Sequence, residues 1–164
     1  MFVALKKYTN MKRIYSVVIW VVVCFAMGAF ASFLQNDAII EWYPYLQKSS
    51  LTPPSWVFPL AWSILYLLMG ISIGLLYGVR SIYSSILYLI FVMQLVLNFL
   101  WSIFFFVFRS PLLGLLDIVM LLIFTFLYIV GAFVVKRLSA LLFIPYFLWL
   151  LFATYLNFYI FLYN

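Results

Sequence analysis

The chain contains no histidine, one cysteine and only three acidic residues. Lack of histidine excludes Ser-His and Cys-His nucleophilic catalysis, the usual zinc ligand sets and the commonest haem ligand. The single Cys24 permits no intramolecular disulfide and leaves the redox compartment unconstrained. No glycine-rich phosphate loop follows a strand pattern, so nucleotide chemistry has no support. Linkers, low-complexity segments and internal repeats are also missing. Charged residues make up only 7% of the chain.

What fills the sequence instead is apolar. Seventy per cent of the 164 residues are hydrophobic and the mean hydropathy is +1.27. A soluble domain of this size could not hide so much apolar surface, so lipid must be the solvent. About twenty consecutive apolar residues cross the hydrocarbon core as a helix, and every backbone group there must be paired internally. Five such runs are predicted, at about 14–34, 56–79, 84–108, 112–135 and 141–162. The expected fold is an all-α integral membrane protein, one transmembrane domain over 1–164 built as a five-helix bundle. Apart from the first, the links are short, which predicts that helices consecutive in the chain are antiparallel and adjacent.

The net charge of +6 does not point to nucleic acid. Lys6, Lys7, Lys12, Arg13, Arg80, Lys136 and Arg137 fall at the end of the bundle that carries the N-terminus. Lys48 and Arg109 fall at the other, with Asp37 and Glu41 in a solvated first loop. Basic residues concentrate on the cytoplasmic side, so the expected topology is N-terminus cytoplasmic and C-terminus outside, in the cell membrane if the source is bacterial. Ala29-Phe30-Ala31 after a basic start resembles a signal-peptide cleavage site, but the apolar stretch runs on to Leu34, too long for that reading. Met11-Lys12-Arg13 also has the form of a chain start.

The segment Trp42–Tyr66 is unusual for a connection, with four prolines and three tryptophans between two apolar runs. Pro53-Pro54 stiffens the chain just before a helix, and Thr52 stands where an N-cap is expected. A rigid, aromatic cover leading into a membrane helix suggests a lid over a cavity. An interfacial aromatic belt has the same composition.

Polar side chains within membrane helices must find a partner or a cavity. Gln94, Asn98 and Trp101 share one face of the third helix; Trp149, Ala153 and Asn157 follow four-residue spacing on the fifth; Trp62 and Tyr66 pair on the second. Such faces could enclose a flat, mostly apolar ligand, or could serve interhelical hydrogen bonding and aromatic packing. Asp117 is the one acidic residue expected deep in a helix, with Arg109, eight residues upstream, as a candidate partner; a structural pair is the favoured reading and a proton relay the alternative. Gly70-Gly74-Gly78 and Gly28-x-x-x-Ser32 form small-residue ridges, expected to serve packing within the bundle, with a dimer interface as the alternative.

Three blocks resemble the tryptophan-rich sensory protein family, also called translocator proteins or peripheral-type benzodiazepine receptors. The first comprises Trp42-Tyr43, Lys48, Pro53-Pro54, Trp56-Val57-Phe58, Trp62 and Tyr66. The second is Gln94-Leu95-Val96-Leu97-Asn98-Phe99-Leu100-Trp101-Ser102, followed by Phe108-Arg109-Ser110-Pro111 and Asp117-Ile118. The third is Pro145-Tyr146-Phe147-Leu148-Trp149 with Ala153-Thr154-Tyr155-Leu156-Asn157. Departures are Ser49 in place of a common proline and Pro59-Leu60 in place of a frequent Gly-Pro. The sterol-recognition pattern near the C-terminus lacks its basic residue after Tyr155, which argues against sterol at that site, while Leu75-x-Tyr77-x-x-Arg80 fits that weak pattern elsewhere.

The resemblance implies a homodimeric membrane receptor with a pocket capped by the first loop, for tetrapyrroles such as protoporphyrin IX and for benzodiazepine-type and isoquinoline ligands. It also implies light-dependent oxidative breakdown of the bound porphyrin, with no obligatory cofactor and no metal site. The expected pocket residues are Tyr43, Trp62, Tyr66, Asn98, Trp101, Trp149 and Ala153, with Trp62 and Trp149 as the oxidisable pair. The alternatives are a transporter of porphyrin or other small apolar ligands, and a lipid- or sterol-binding regulatory scaffold.

Overall fold

A computed structural model describes the backbone of residues 2–79 and 81–164, and side chains from residue 11 onward. Arg80 and the side chains of Lys6 and Lys7, invoked above for topology, lie outside the described residues. Among the described residues there are five α-helices: α1 (Phe2–Glu41), α2 (Val57–Gly74), α3 (Ser84–Ser102), α4 (Pro111–Val135) and α5 (Arg137–Tyr163). A π-helical turn, Ile103–Val107, continues α3, and a 3-10 turn, Tyr43–Tyr45, follows α1. All five helices are long and apolar enough to cross a membrane, and large apolar side chains cover their outer faces.

The helix ends correct several expectations. Helix α1 continues past residue 34 and ends at Glu41, just before the 3-10 turn that holds Pro44, so Asp37 and Glu41 belong to its last turns rather than to a loop. Thr52 caps nothing: α2 begins at Val57 behind Trp56, with no side-chain cap. Helix α2 also ends early, at Gly74, and the chain then turns through Gly78 at φ 75, which frees that glycine from the ridge. Helix α4 starts as its sequence suggests, with Ser110 accepting from the Leu113 N–H and Pro111 in the first turn.

Packing also departs from chain order. Helix α2 packs on α1 and α5, α4 packs on α5 and α3, and α1 closes the ring against α3 and the π turn. Consecutive α2 and α3 therefore stand apart, separated by the cavity described below. The glycine ridge explains the close α1–α2 contact: a Cβ at Gly70 or Gly74 would lie 2.5 Å from the Cα of Val21 or Val17. In lipid such close backbone packing replaces the hydrophobic drive as the source of association.

Toward the end bearing the N-terminus, the core is closed by a fully buried network. Ser72 meets the hydroxyls of Tyr128 at 2.9 Å and Ser139 at 2.8 Å, joining α2, α4 and α5. All three hydroxyls are partnered, so this end of the bundle is rigid and shut.

Candidate functional site

The opposite end is hollow. A cavity of about 930 Å³ lies between α1, α2, α3, the π turn and α5, and the loop 42–56 lies over it. That volume is at the upper end of the usual range for small-molecule sites, about 300–1,000 Å³. Helix α4 contributes no lining residue.

Its walls are aromatic rings held by amides. Trp62 stacks on Tyr66 with centroids 5.4 Å apart, and Trp101 stacks on Phe105 at 5.1 Å. The Tyr66 hydroxyl donates to Asn98 Oδ1 at 3.1 Å, and Asn98 Nδ2 donates to the Tyr146 hydroxyl at 3.0 Å. Across the cavity, the Trp101 indole N–H donates to Asn157 Oδ1 at 3.1 Å, while Asn157 Nδ2 donates to the Pro111 carbonyl at 2.7 Å. Each amide is thus oriented from both ends, so the rings it holds are fixed before any ligand arrives. Gly28 lets the Tyr66 ring lie against α1, since a Cβ there would fall 2.2 Å from the ring.

The roof is braced internally at one point and tied to the end of α5 at two. Lys48 Nζ donates to the Tyr43 carbonyl at 3.1 Å and stands 4.7 Å from the Tyr43 ring centre. Ser49 Oγ meets the Tyr155 hydroxyl at 2.9 Å, a bond the common proline could not make. The Gln47 N–H donates to Asn164 Oδ1 at 2.9 Å, and Asn164 Nδ2 donates back to the Gln47 carbonyl at 3.2 Å. Burial pushes the Tyr43 phenol above its ordinary pKa, so it stays a neutral hydroxyl in the roof.

Of the residues expected from the sequence, Tyr43, Trp62, Tyr66, Asn98, Trp101 and Ala153 line this cavity. Trp149 does not. It faces a shallow outer groove between α2 and α5 and meets Phe58, a cavity residue, edge-on at 6.1 Å. Eight residues turn a helix by about 80° beyond two full circles, so Trp149 cannot share the direction of Asn157. Gln94, one turn below Asn98, is fully buried beyond the cavity floor.

The expected Arg109–Asp117 pair is absent. Arg109 precedes α4, adopts φ 50 and bonds Glu41 Oε2 at 3.0 Å, tying α1 to the α3–α4 link. Sequence reasoning missed Ser32, Gln35, Phe58 and Phe105 as cavity residues. Spacing offered a signal for the two on α1, which lie with Gly28 along one stripe. For Phe105 it offered none, because the π turn changes the direction in which that ring points. Among the described residues, no three His, Cys, Asp or Glu side chains converge as a metal site.

Residues 20–163 match the profile of the TspO/MBR family. The chain belongs to that family. It is similar to the tryptophan-rich protein TspO of Archaeoglobus fulgidus, 42% identical over 139 residues, covering 85% of this chain and 90% of the relative. The same-named protein of Chlorobaculum tepidum is 36% identical over 149 residues, covering 90% and 94%. The translocator protein of Homo sapiens is 31% identical over 138 residues, covering 81% of each chain. Membership and five spanning helices make this TspO/MBR chain a multi-pass membrane protein.

Proposed function

We propose that the cavity receives tetrapyrroles such as protoporphyrin IX, and other flat apolar molecules including benzodiazepine-type and isoquinoline ligands, making this protein a membrane receptor for them. The observation that carries the reading is the combination of aromatic walls and anchored amides in one roofed cavity of about 930 Å³. A flat π-system stacks on Trp62 and Trp101, while Tyr66 and Asn98 present polar atoms to its edge. Lys48, in the roof, can meet ligand carboxylates by exchanging its backbone carbonyl partners for them.

Illumination of a bound porphyrin in the presence of dioxygen then oxidises the porphyrin, with Trp62 as the nearest oxidisable ring of the pair. Trp149 stands one ring further off, behind Phe58. The basic residues near the N-terminal end support a cytoplasmic N-terminus. Both glycine ridges are occupied within the bundle, so a homodimer, which the family resemblance suggests, uses other faces.

The test is a dark titration of the protein in lipid nanodiscs with protoporphyrin IX, followed by illumination with absorbance recorded. Wild type is compared with Trp62→Phe and Trp149→Phe. Saturable binding with a photoproduct that Trp62→Phe fails to form supports both parts. Binding with identical photoproducts leaves the receptor and removes the tryptophan chemistry. No saturable binding sinks the tetrapyrrole reading, and ligand flux into sealed vesicles then tests carriage instead.

A further inference from the structure

Beyond the cavity floor lies a second polar region that the ligand site does not use. Gln94 of α3 and Thr125 of α4 are 0% exposed; among the described residues neither polar atom of the Gln94 amide has a hydrogen-bond partner, and the Thr125 hydroxyl faces Tyr146 without making a well-formed bond. Helix register sets them at one level of the bundle. Gly131 faces Leu87 and Gly114 faces Phe105, so antiparallel α3 and α4 place Thr125 level with Gln94. On the other side, Tyr128 lies 4.2 Å from Phe143 and Asn157 bonds the Pro111 carbonyl, which places Thr125 level with Tyr146 of α5.

Tyr146, also 0% exposed, connects this region to the cavity. Its hydroxyl oxygen accepts from Asn98 Nδ2, and Asn98 Oδ1 in turn accepts from Tyr66. The Tyr146 proton is therefore free to point away from the cavity, toward Thr125, which its hydroxyl faces. The unpartnered atoms there are both donors and acceptors: two N–H and one carbonyl on Gln94, one hydroxyl on Thr125. A bare cation would suit only the acceptors. Water suits all of them, and buried waters characteristically make about three such bonds to otherwise unsatisfied groups. Leaving these groups dry would be strongly unfavourable in lipid-embedded protein.

We propose that Gln94, Thr125 and Tyr146 form a built water-binding site in the core between α3, α4 and α5. This water is the inner end of a hydrogen-bonded relay that runs through Tyr146 and Asn98 to Tyr66 on the cavity wall. The relay is polarised in one direction, each member donating to the next, so the bound water holds the Tyr66 and Asn98 groups in a fixed orientation. Asp117, whose Oδ2 is likewise buried and unpartnered, lies two turns nearer the roof and within electrostatic reach of the same Tyr146 hydroxyl.

The test does not depend on which ligand the cavity takes. Full-length protein in nanodiscs is exposed to X-ray pulses in oxygen-18 water, and hydroxyl labelling of each side chain is read by mass spectrometry. Tyr146 is expected to carry label in wild type despite its complete burial, and to lose it in the double variant Gln94→Leu/Thr125→Val. The single variants Gln94→Leu and Thr125→Val, close in shape to the originals, are expected to lower the melting temperature by about 2–4 °C each, because each displaces a bridging water. In a dry core the same changes remove unsatisfied groups and leave stability unchanged or higher. Absence of label on wild-type Tyr146, or an unchanged or raised melting temperature in either variant, overturns the proposal.

Discussion

Tyr66 and Asn98 join across the cavity by one hydrogen bond of 3.1 Å, between α2 and α3, each of which packs mainly on other helices. The bond spans the gap that α2 and α3 leave between them. Losing it frees both a wall ring and a wall amide. Tyr66→Phe is therefore expected to cost about 0.5–1.5 kcal/mol of stability. It should also weaken protoporphyrin IX binding several-fold, read as melting temperature and as a dark titration of the same preparation.

Gly70 tests the α1–α2 contact without touching the cavity. A leucine there would drive its Cβ to within 2.5 Å of the Val21 Cα, a backbone atom that cannot swing aside. The helices must separate, so Gly70→Leu is expected to lose about 3 kcal/mol or more, at the upper end of overpacking costs. Thermal unfolding in detergent checks this, with Gly78→Ala as a milder comparison governed by its positive φ.

The Arg109–Glu41 pair should contribute little, although it replaces the buried pair the sequence suggested. Its side chains are 46% and 64% exposed, and exposed pairs are typically worth about 0–1 kcal/mol. Glu41→Gln is expected to move the melting temperature by no more than a few degrees, and the difference should vanish in molar salt. A large loss that persists in high salt would contradict this assignment.

Asn164 holds the roof through Gln47 while its side chain also donates to the Ile160 carbonyl at 2.9 Å. Asn164→Ala removes the clasp and leaves the cavity walls alone. Ligand association and dissociation are both expected to accelerate several-fold with a smaller change in affinity, since a looser roof gates exchange rather than contact. Stopped-flow fluorescence with protoporphyrin IX reads both rates.

Alkaline pH should act through Tyr43. Its pKa is raised by burial above the ordinary 10.0, so folded and unfolded chains hold this proton equally at neutral pH. Above about pH 10 the unfolded chain releases it first, and the contribution of Tyr43 to stability is lost as pH rises through the folded value. The melting temperature of wild type is expected to fall more steeply above pH 10 than that of Tyr43→Phe.

Much of this molecule was decided by composition and local pattern. Five continuous apolar runs of about twenty residues, in a chain with 7% charged residues, have the length of membrane helices, which pair their backbone within one segment. Pro44, Pro53-Pro54 and Pro111 punctuate the chain where helices stop or start, since a proline ring limits its own and its neighbour's conformation wherever it stands. Asn98, Trp101, Ala153 and Asn157 were legible as inward residues for a related reason: a polar or small residue at helical spacing in a membrane span has few other uses.

Tertiary structure alone decided the rest. Chain order predicted α2 beside α3, yet the Gly70-Gly74 contact pulls α2 onto α1 and opens the space that becomes the cavity. Spacing put Trp149 with Ala153 and Asn157, but small angular differences accumulate along a helix and turn its ring outward. The partner of Arg109 depended on a left-handed backbone turn and on how far α1 extends, and the inward swing of Phe105 on a π turn. Each of these is a relation between segments distant in sequence, and local preference carries no information about which distant surface a segment will meet.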